Sequence, residues 1–245
     1  MRKFGLIGKN ISYSFSKDYF TKKFELEGID NAQYINFDIQ DIKEIQSILD
    51  SQSNLRGLNV TIPYKESILP YLDKLNKKAE KIGAVNTIRI TKKGRLIGYN
   101  TDCYGFKKSL KPHLKPMHKR ALILGTGGAS KAIAFTLKQL KIDYQFVSRN
   151  PSKDGFLTYK SLTEGIIDTH LIIINCTPLG TFPNIEISPE IPYEAITKNH
   201  ILYDLIYNPQ ETLFLKKGKE KNATTINGSA MLKYQADKAW KIWNS

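Results

Sequence analysis

The sequence predicts a two-domain α/β protein with parallel sheets, and three observations carry that reading. Short apolar runs alternate with amphipathic stretches, the pattern of repeated strand–helix units. A glycine cluster, Gly125-Thr126-Gly127-Gly128, stands between an apolar run and a helical stretch in the second half. Finally, 245 residues are long for one domain and short for two full-sized ones.

Phe4 to Gly8 reads as the first strand. Ser16 to Glu27 follows as a helix, with Ser14 or Ser16 as its cap and Gly28 just past its end. Tyr34 to Phe37, a helix from Asp41 to Leu49 and a strand from Leu55 to Val60 continue the rhythm. Pro63 breaks it. A helical stretch from Leu72 to Lys81 comes next, then two strands, Asn86 to Ile90 and Arg95 to Gly98, joined by a turn at Lys92-Lys93-Gly94. A domain boundary is expected between Asp102 and Arg120, where Pro112, Pro116 and many lysines stand and no acidic residue follows Asp102. Within it, Cys103 to Leu110 reads as a linking helix. Ala121 to Leu124 opens a second series, with a helix from Lys131 to Leu140 and strands at Gln145 to Ser148, Leu171 to Asn175 and Ile201 to Leu205. In the last helix Met231, Leu232, Gln235, Ala236, Ala239, Trp240 and Trp243 share one face, so both tryptophans read as core contacts.

Composition excludes several classes. Hydrophobic residues at 41% and charged residues at 24% are ordinary globular usage, not that of a disordered chain, a collagen or a disulfide scaffold. No apolar run approaches the roughly 18 residues of a membrane helix. Lys9 and Asn10 arrive before a signal-peptide apolar region can form. A soluble cytoplasmic chain with no membrane partner is expected. The net charge of +14 comes from scattered basic residues, denser at 107–120 and 216–221, without interleaved stacking aromatics. That is a solvated basic surface suited to small anions, with no nucleic-acid partner expected. Cys103 and Cys176 match no zinc or redox spacing and read as reduced thiols. His113, His118, His170 and His200 show no ligand grouping, so no metal is expected.

Two constellations carry chemistry. Gly125-Thr126-Gly127-Gly128-Ala129-Ser130 between strand and helix lets the backbone turn tightly and approach a pyrophosphate, whose charge the helix-start N–H groups stabilise. An NAD site places a carboxylate about 20 residues further on. This chain instead reads Phe146-Val147-Ser148-Arg149, and Arg149 suits the 2′-phosphate of NADP. The first half holds Ser14 and Ser16, Asn59 to Lys65, Gly83 to Thr87 and Gly98 to Asp102. Hydroxyls and amides at strand ends suit a polyhydroxylated ligand, whose buried hydroxyls each need a partner. Lys65 and Asp102 are candidates for an acid/base pair. Their spacing does not show that they meet, and an exposed Lys–Asp pair is the ordinary alternative.

The chain resembles the shikimate dehydrogenase family nearly end to end. The residues that carry this are Ser14-Phe15-Ser16, the Asn-Val-Thr-x-Pro-x-Lys signature at Asn59 to Lys65, Gly-Ala-x-Asn-Thr at Gly83 to Thr87, and Gly-x-Asn-Thr-Asp at Gly98 to Asp102. The glycine loop, Asn-x-Thr-Pro-x-Gly at Asn175 to Gly180, Asp-x-x-Tyr-x-Pro at Asp204 to Pro209, Asn227-Gly228 and Met231-Leu232-x-x-Gln235-Ala236 continue it. The resemblance implies a substrate domain over 1–102, joined by the terminal helix 228–245, and a Rossmann-like NADP domain over 103–227. It implies reversible NADPH-dependent reduction of 3-dehydroshikimate to shikimate, in aromatic amino-acid biosynthesis, by a monomer or homodimer. Lys65 would be the acid/base group, assisted by Asp102. Ser14, Ser16, Thr61, Asn86, Tyr207 and Gln235 would contact the substrate. Gly125, Thr126, Gly127, Gly128, Ala129, Ser148, Arg149, Thr177, Leu205 and Gly228 would hold the cofactor.

The chain departs from the family after its second nucleotide-domain strand. It has Ser148-Arg149-Asn150-Pro151 where Asn-Arg-Thr is usual, and Lys153 to Thr163 is short and irregular for the helix expected there. Two other functions compete: a dehydrogenase of the same superfamily acting on quinate, or on both quinate and shikimate, and a non-catalytic metabolite sensor. Two serines at 14 and 16 favour shikimate, and retention of both Lys65 and Asp102 argues against a sensor.

Overall fold

A computed structural model describes residues 1–11, 14–149 and 155–245. The chain divides into two compact units, one of residues 1–101 with 236–245 and one of 102–235.

The first unit contains β1 (Arg2–Gly8), α1 (Phe15–Leu26), β2 (Ala32–Asp38), α2 (Ile45–Ser51), β3 (Leu55–Val60), β4 (Lys74–Leu75), α3 (Lys77–Ile82), β5 (Thr87–Ile90) and β6 (Leu96–Tyr99). They form one sheet in the order β2-β1-β3-β5-β6-β4. β1 runs parallel to β2 and β3, whereas β5 is antiparallel to both β3 and β6. Ser14 caps α1, as one of the two expected serines, by accepting a hydrogen bond from Lys17 N at 3.4 Å. α1 then turns Phe20 and Phe24 inward, and Phe20 stacks on Tyr34 of β2 at 4.6 Å.

The chain's last ten residues close this aromatic core. Trp243 stacks on Phe4 at 5.0 Å, and its indole donates to Ile88 O at 3.0 Å. Gly57 on β3 makes room for it: a Cβ there would lie 2.2 Å from the indole. Trp240 packs edge-on against Phe4, so both tryptophans are core contacts, as expected.

Two helices of this unit differ from what the sequence predicts. The one expected from Asp41 begins as a 3₁₀ turn over Ile42–Glu44 under an Asp41/Glu44 capping box, and becomes α-helical only at Ile45. The helix expected over Leu72 to Lys81 is only α3, capped by Asn76. Before it, Leu72 and Leu75 pack onto the bare face of Gly98, Asp73 accepts from Leu96 N at 2.6 Å, and Lys74-Leu75 pair with β6. Tertiary contacts outbid helical propensity there.

The second unit contains α4 (Asp102–Leu110), β7 (Arg120–Leu124), α5 (Gly128–Gln139), β8 (Asp143–Ser148), β9 (Leu157–Thr158), α6 (Glu164–Thr169), β10 (Ile172–Asn175), β11 (Ile201–Asp204), α7 (Leu213–Glu220) and β12 (Thr224–Ile226). α8 (Ser229–Trp243) begins in this unit and ends in the first. The sheet is entirely parallel, in the order β12-β11-β10-β7-β8-β9. Read from the β9 edge and counted along the unit, that is the third, second, first, fourth, fifth and sixth strand, the doubly wound dinucleotide-binding order. Ile123, Ile174 and Tyr203 face one core, and Leu122, Ile173 and Leu202 the other. Burial on both faces explains why these strands read as unbroken apolar runs.

α5 starts at Gly128, three residues before the expected Lys131, so the glycine loop runs into its first turn. In the irregular stretch, residues 155–163 form β9 and a 3₁₀ turn with no α-helix, while residues 150–154 lie outside the described residues. Neither cysteine forms a disulfide. His118, His170 and His200 are buried, each bonded to a backbone carbonyl. Among the described residues no helix is long and apolar enough to cross a membrane.

Candidate active site

In the first unit the polar residues collect where the strand order reverses, beyond the C-terminal ends of β1 and β3. Chains leaving two parallel strands in opposite directions open a crevice at such a point. Thr61 N donates to Ile7 O at 2.9 Å and Lys9 N to Ile62 O at 3.3 Å, which ties the two strand ends together. Because β5 is antiparallel to β3, its start lies at this same edge, and so does the end of β6. Three of these four strand ends therefore deliver Thr61, Asn86 and Asn100-Thr101 to one rim. Ser14 and Ser16 enter from the first turn of α1 and are both 9% exposed. Lys65 is half-buried, and its carbonyl accepts from Val85 N at 2.8 Å, joining the lysine's turn to the Gly83–Thr87 segment.

A buried polar network holds this rim. Tyr34 Oη donates to Asn59 Oδ1 at 2.8 Å, and Asn59 Nδ2 donates to Asn86 O at 3.2 Å and Thr87 Oγ1 at 3.3 Å. Asn86 Oδ1 accepts from Thr101 N at 2.7 Å and Thr101 Oγ1 at 3.1 Å, which commits that oxygen inward and fixes the amide's orientation. Burial drives the Tyr34 phenol well above its ordinary pKa, so it acts as a neutral donor. Tyr34, Asn59, Thr87 and Thr101 have no assigned role in the sequence reading. Asn59, Thr87 and Thr101 stood inside the quoted signatures; Tyr34 carried no local signal.

The second unit holds the other candidates. Asp102 opens α4 and is 5% exposed. One turn on, Gly105 lets α8 approach closely: a Cβ there would lie 2.5 Å from Met231 O and 3.2 Å from Gln235 Cβ. Buried Gln235 is thereby brought beside the start of α4. Tyr207 follows β11 on an exposed turn, 39% accessible.

The glycine loop leaves β7 at this sheet's own reversal point, between β7 and β10. Gly125 has φ +100°, and a Cβ on it would lie 3.0 Å from Thr177 Cγ2 and 3.3 Å from Cys176 O. Thr177 thus lines the same crevice. Gly127 caps α5 without any side-chain acceptor, and a Cβ there would meet nothing within 4 Å. The protein's own packing does not demand glycine at 127, but an approaching pyrophosphate does. Where a third small residue is usual, Ser130 is buried and donates to Gly127 O at 2.6 Å. β8 ends at Ser148 and the exposed Arg149 follows it, with no carboxylate to repel a 2′-phosphate. Arg149 is near enough to Tyr159 to oppose the burial that pushes this phenol up to about 12. Leu205 N donates to Asn175 O at 3.1 Å, and Gly228 packs its bare Cα against Leu205 O. These residues fit NADP.

The chain matches the family model for the shikimate dehydrogenase substrate-binding domain over residues 6–88. It is 40% identical to a shikimate dehydrogenase (NADP(+)) of Methanosphaera stadtmanae, across 98% of this chain and 90% of that relative. The chain belongs to the shikimate dehydrogenase family. Among solved members of that family, a shikimate dehydrogenase in complex with NADP+ is 36% identical with a TM-score of 0.87, over 99% of this chain and 90% of that one. The Thermus thermophilus enzyme in complex with NADP(H) and shikimate is 30% identical with a TM-score of 0.87, over 99% and 93%.

Proposed function

We propose that this chain is an NADP-dependent oxidoreductase that interconverts shikimate and 3-dehydroshikimate. The observation that carries the reading is the first unit's rim, where Ser14, Ser16, Thr61, Lys65 and Asn86 gather at one sheet edge. Such a set of donors and acceptors matches a small ligand carrying several hydroxyls and a carboxylate. The glycine loop and Arg149 would hold NADPH, which would supply the hydride for reduction. Lys65 stabilises the negative charge growing on the substrate oxygen and gives it a proton; in the oxidative direction it takes that proton back. Asp102 bonds the reacting hydroxyl and assists the lysine. Tyr207 and Gln235 complete the substrate contacts, and Thr177, Leu205 and Gly228 those to the cofactor. The same reading has the chain act in the cytoplasm, as a monomer or homodimer.

The test offers shikimate and quinate, each with NADP+ and with NAD+, to the purified protein while the absorbance of reduced nicotinamide is followed. Turnover confined to shikimate with NADP+ is expected. Equal turnover of quinate would move the chain to a sister specificity, and a folded sample inert with every pair would leave a metabolite sensor as the reading.

A further inference from the structure

Thr177, Leu205 and Gly228 lie in three different loops, and one buried carboxylate reaches all of them. Asp204, at the end of β11, is fully buried. Its Oδ1 accepts from Asn175 Nδ2 at 3.1 Å and from Ile206 N at 3.0 Å, and its Oδ2 from Thr212 Oγ1 at 2.6 Å. On one side the line continues through Asn175, whose Oδ1 accepts from Thr177 N at 3.0 Å and Thr177 Oγ1 at 2.6 Å. On the other, the Asp204–Ile206 turn presents Ile206 O to Gly228 N at 2.9 Å. The same turn sets Leu205 O against Gly228, where any Cβ would lie 2.1 Å away.

We propose that Asp204 is a positioning residue for the cofactor: it sets the Asn175 amide, and through it Thr177, and it fixes the turn that presents Leu205 to Gly228. This rests on reading the crevice as the NADP site. The chemistry of the group supports it. An ionised carboxylate only accepts, so together with Leu179 O, which takes the same amide at 3.3 Å, it holds Asn175 with its nitrogen toward Asp204 and its oxygen toward Thr177. An asparagine at 204 carries both donors and an acceptor, and would allow the Asn175 amide to flip away from Thr177. Burial without compensation is costly for a carboxylate and pushes this one up to about 6. The three donors pull in the opposite direction.

The experiment measures NADP+ and shikimate binding separately by calorimetry on the purified full chain, with KM values for each alongside. Asp204→Asn is expected to weaken NADP+ binding by about tenfold or more, the effect of leaving buried donors mispaired. Shikimate binding stays unchanged, and KM rises for NADP+ alone. Thr212→Val, which removes one donor, should fall between it and the wild type, while Thr212→Ser restores wild-type affinity. A folded Asp204→Asn that binds NADP+ as tightly as the wild type overturns the inference. If that variant does not fold, equal NADP+ affinity in Thr212→Val and Thr212→Ser overturns it instead. A wild-type chain that binds no NADP+ overturns the cofactor reading, and this inference with it.

Discussion

The two crevices occupy the same place in their sheets and are built from opposite materials. Each lies at the C-terminal edge where the strand order reverses, between β1 and β3 in one unit and between β7 and β10 in the other. The first is lined by side chains: two serines, a threonine, a lysine and an asparagine. The second is lined by missing side chains, at Gly125, Gly127 and Gly228, which leaves main-chain groups open to a ligand. Topology chooses the location, and the ligand's chemistry chooses the lining. A polyol needs directional donors and acceptors at fixed points, whereas a pyrophosphate needs N–H groups that it can approach closely. The cores differ in parallel. The first unit is held by an aromatic cluster around Trp243, Phe4 and Phe20, the second by aliphatic layers on both faces of its sheet.

The largest effect expected is that of Lys65→Ala, which tests whether the side-chain crevice does the proton chemistry. Turnover should drop by about 10²–10⁴-fold, the usual worth of a positioned acid/base group. Shikimate affinity, measured by calorimetry, should change far less, and unaltered turnover would remove Lys65 from its role.

The same substitution placed in each unit sharpens the contrast. Gly57→Ala drives a Cβ into the Trp243 indole and should cost about 1–3 kcal/mol of stability. Gly127→Ala meets nothing in the protein and should leave the thermal midpoint intact while weakening NADP+ binding. Loss of stability at 127 with cofactor binding preserved would invert the distinction between the crevices.

Arg149→Ala probes the one proposed cofactor contact that depends on a side-chain charge. Losing a charge-assisted pair of about 1.5–3 kcal/mol should weaken NADP+ by roughly tenfold or more and leave NAD+ unaffected. A parallel loss for NAD+ would assign Arg149 to the adenine alone.

The smallest effect expected is one of pH. All four histidines belong to the second unit, and burial lowers the pKa of His170 and His200. The unfolded chain therefore binds protons near pH 6.5 that the native state refuses, so stability contributed by neutral burial is lost as pH falls below that value. Asp204 works in the other direction: with its pKa raised to about 6, the native carboxyl binds a proton before the unfolded one does, which favours the fold as pH falls toward 4. The histidines thus contribute a loss of stability as pH falls below about 6.5, which the Asp204 carboxyl opposes. Circular dichroism should register it before tryptophan emission, since Trp240 and Trp243 both lie in the first unit. His200→Gln should reduce the acid sensitivity.

Much of this was legible from local pattern. β3 begins and ends where the apolar run Leu55 to Val60 does, and the glycine cluster marked the β7–α5 turn because only a strand before and a helix after give it meaning. The short elements were not legible. β4, β9 and β12 are two or three residues long and exist only because a neighbouring strand offers them hydrogen bonds. α6 and α7 were missed as well, since six and eight residues give periodicity too little length to show.

By itself the sequence determined the α/β class, the order of the strands along the chain, and the types of residue standing at their ends, since each of these follows from neighbours a few positions apart. Only the tertiary structure decided which ends share a rim and which side chains hold others in place. Asp204 and Asn175 meet across 29 positions, and Tyr34 and Asn59 across 25. A hydrogen bond that spans such a separation leaves no period in the sequence, because its partners are neighbours through the sheet rather than along the chain.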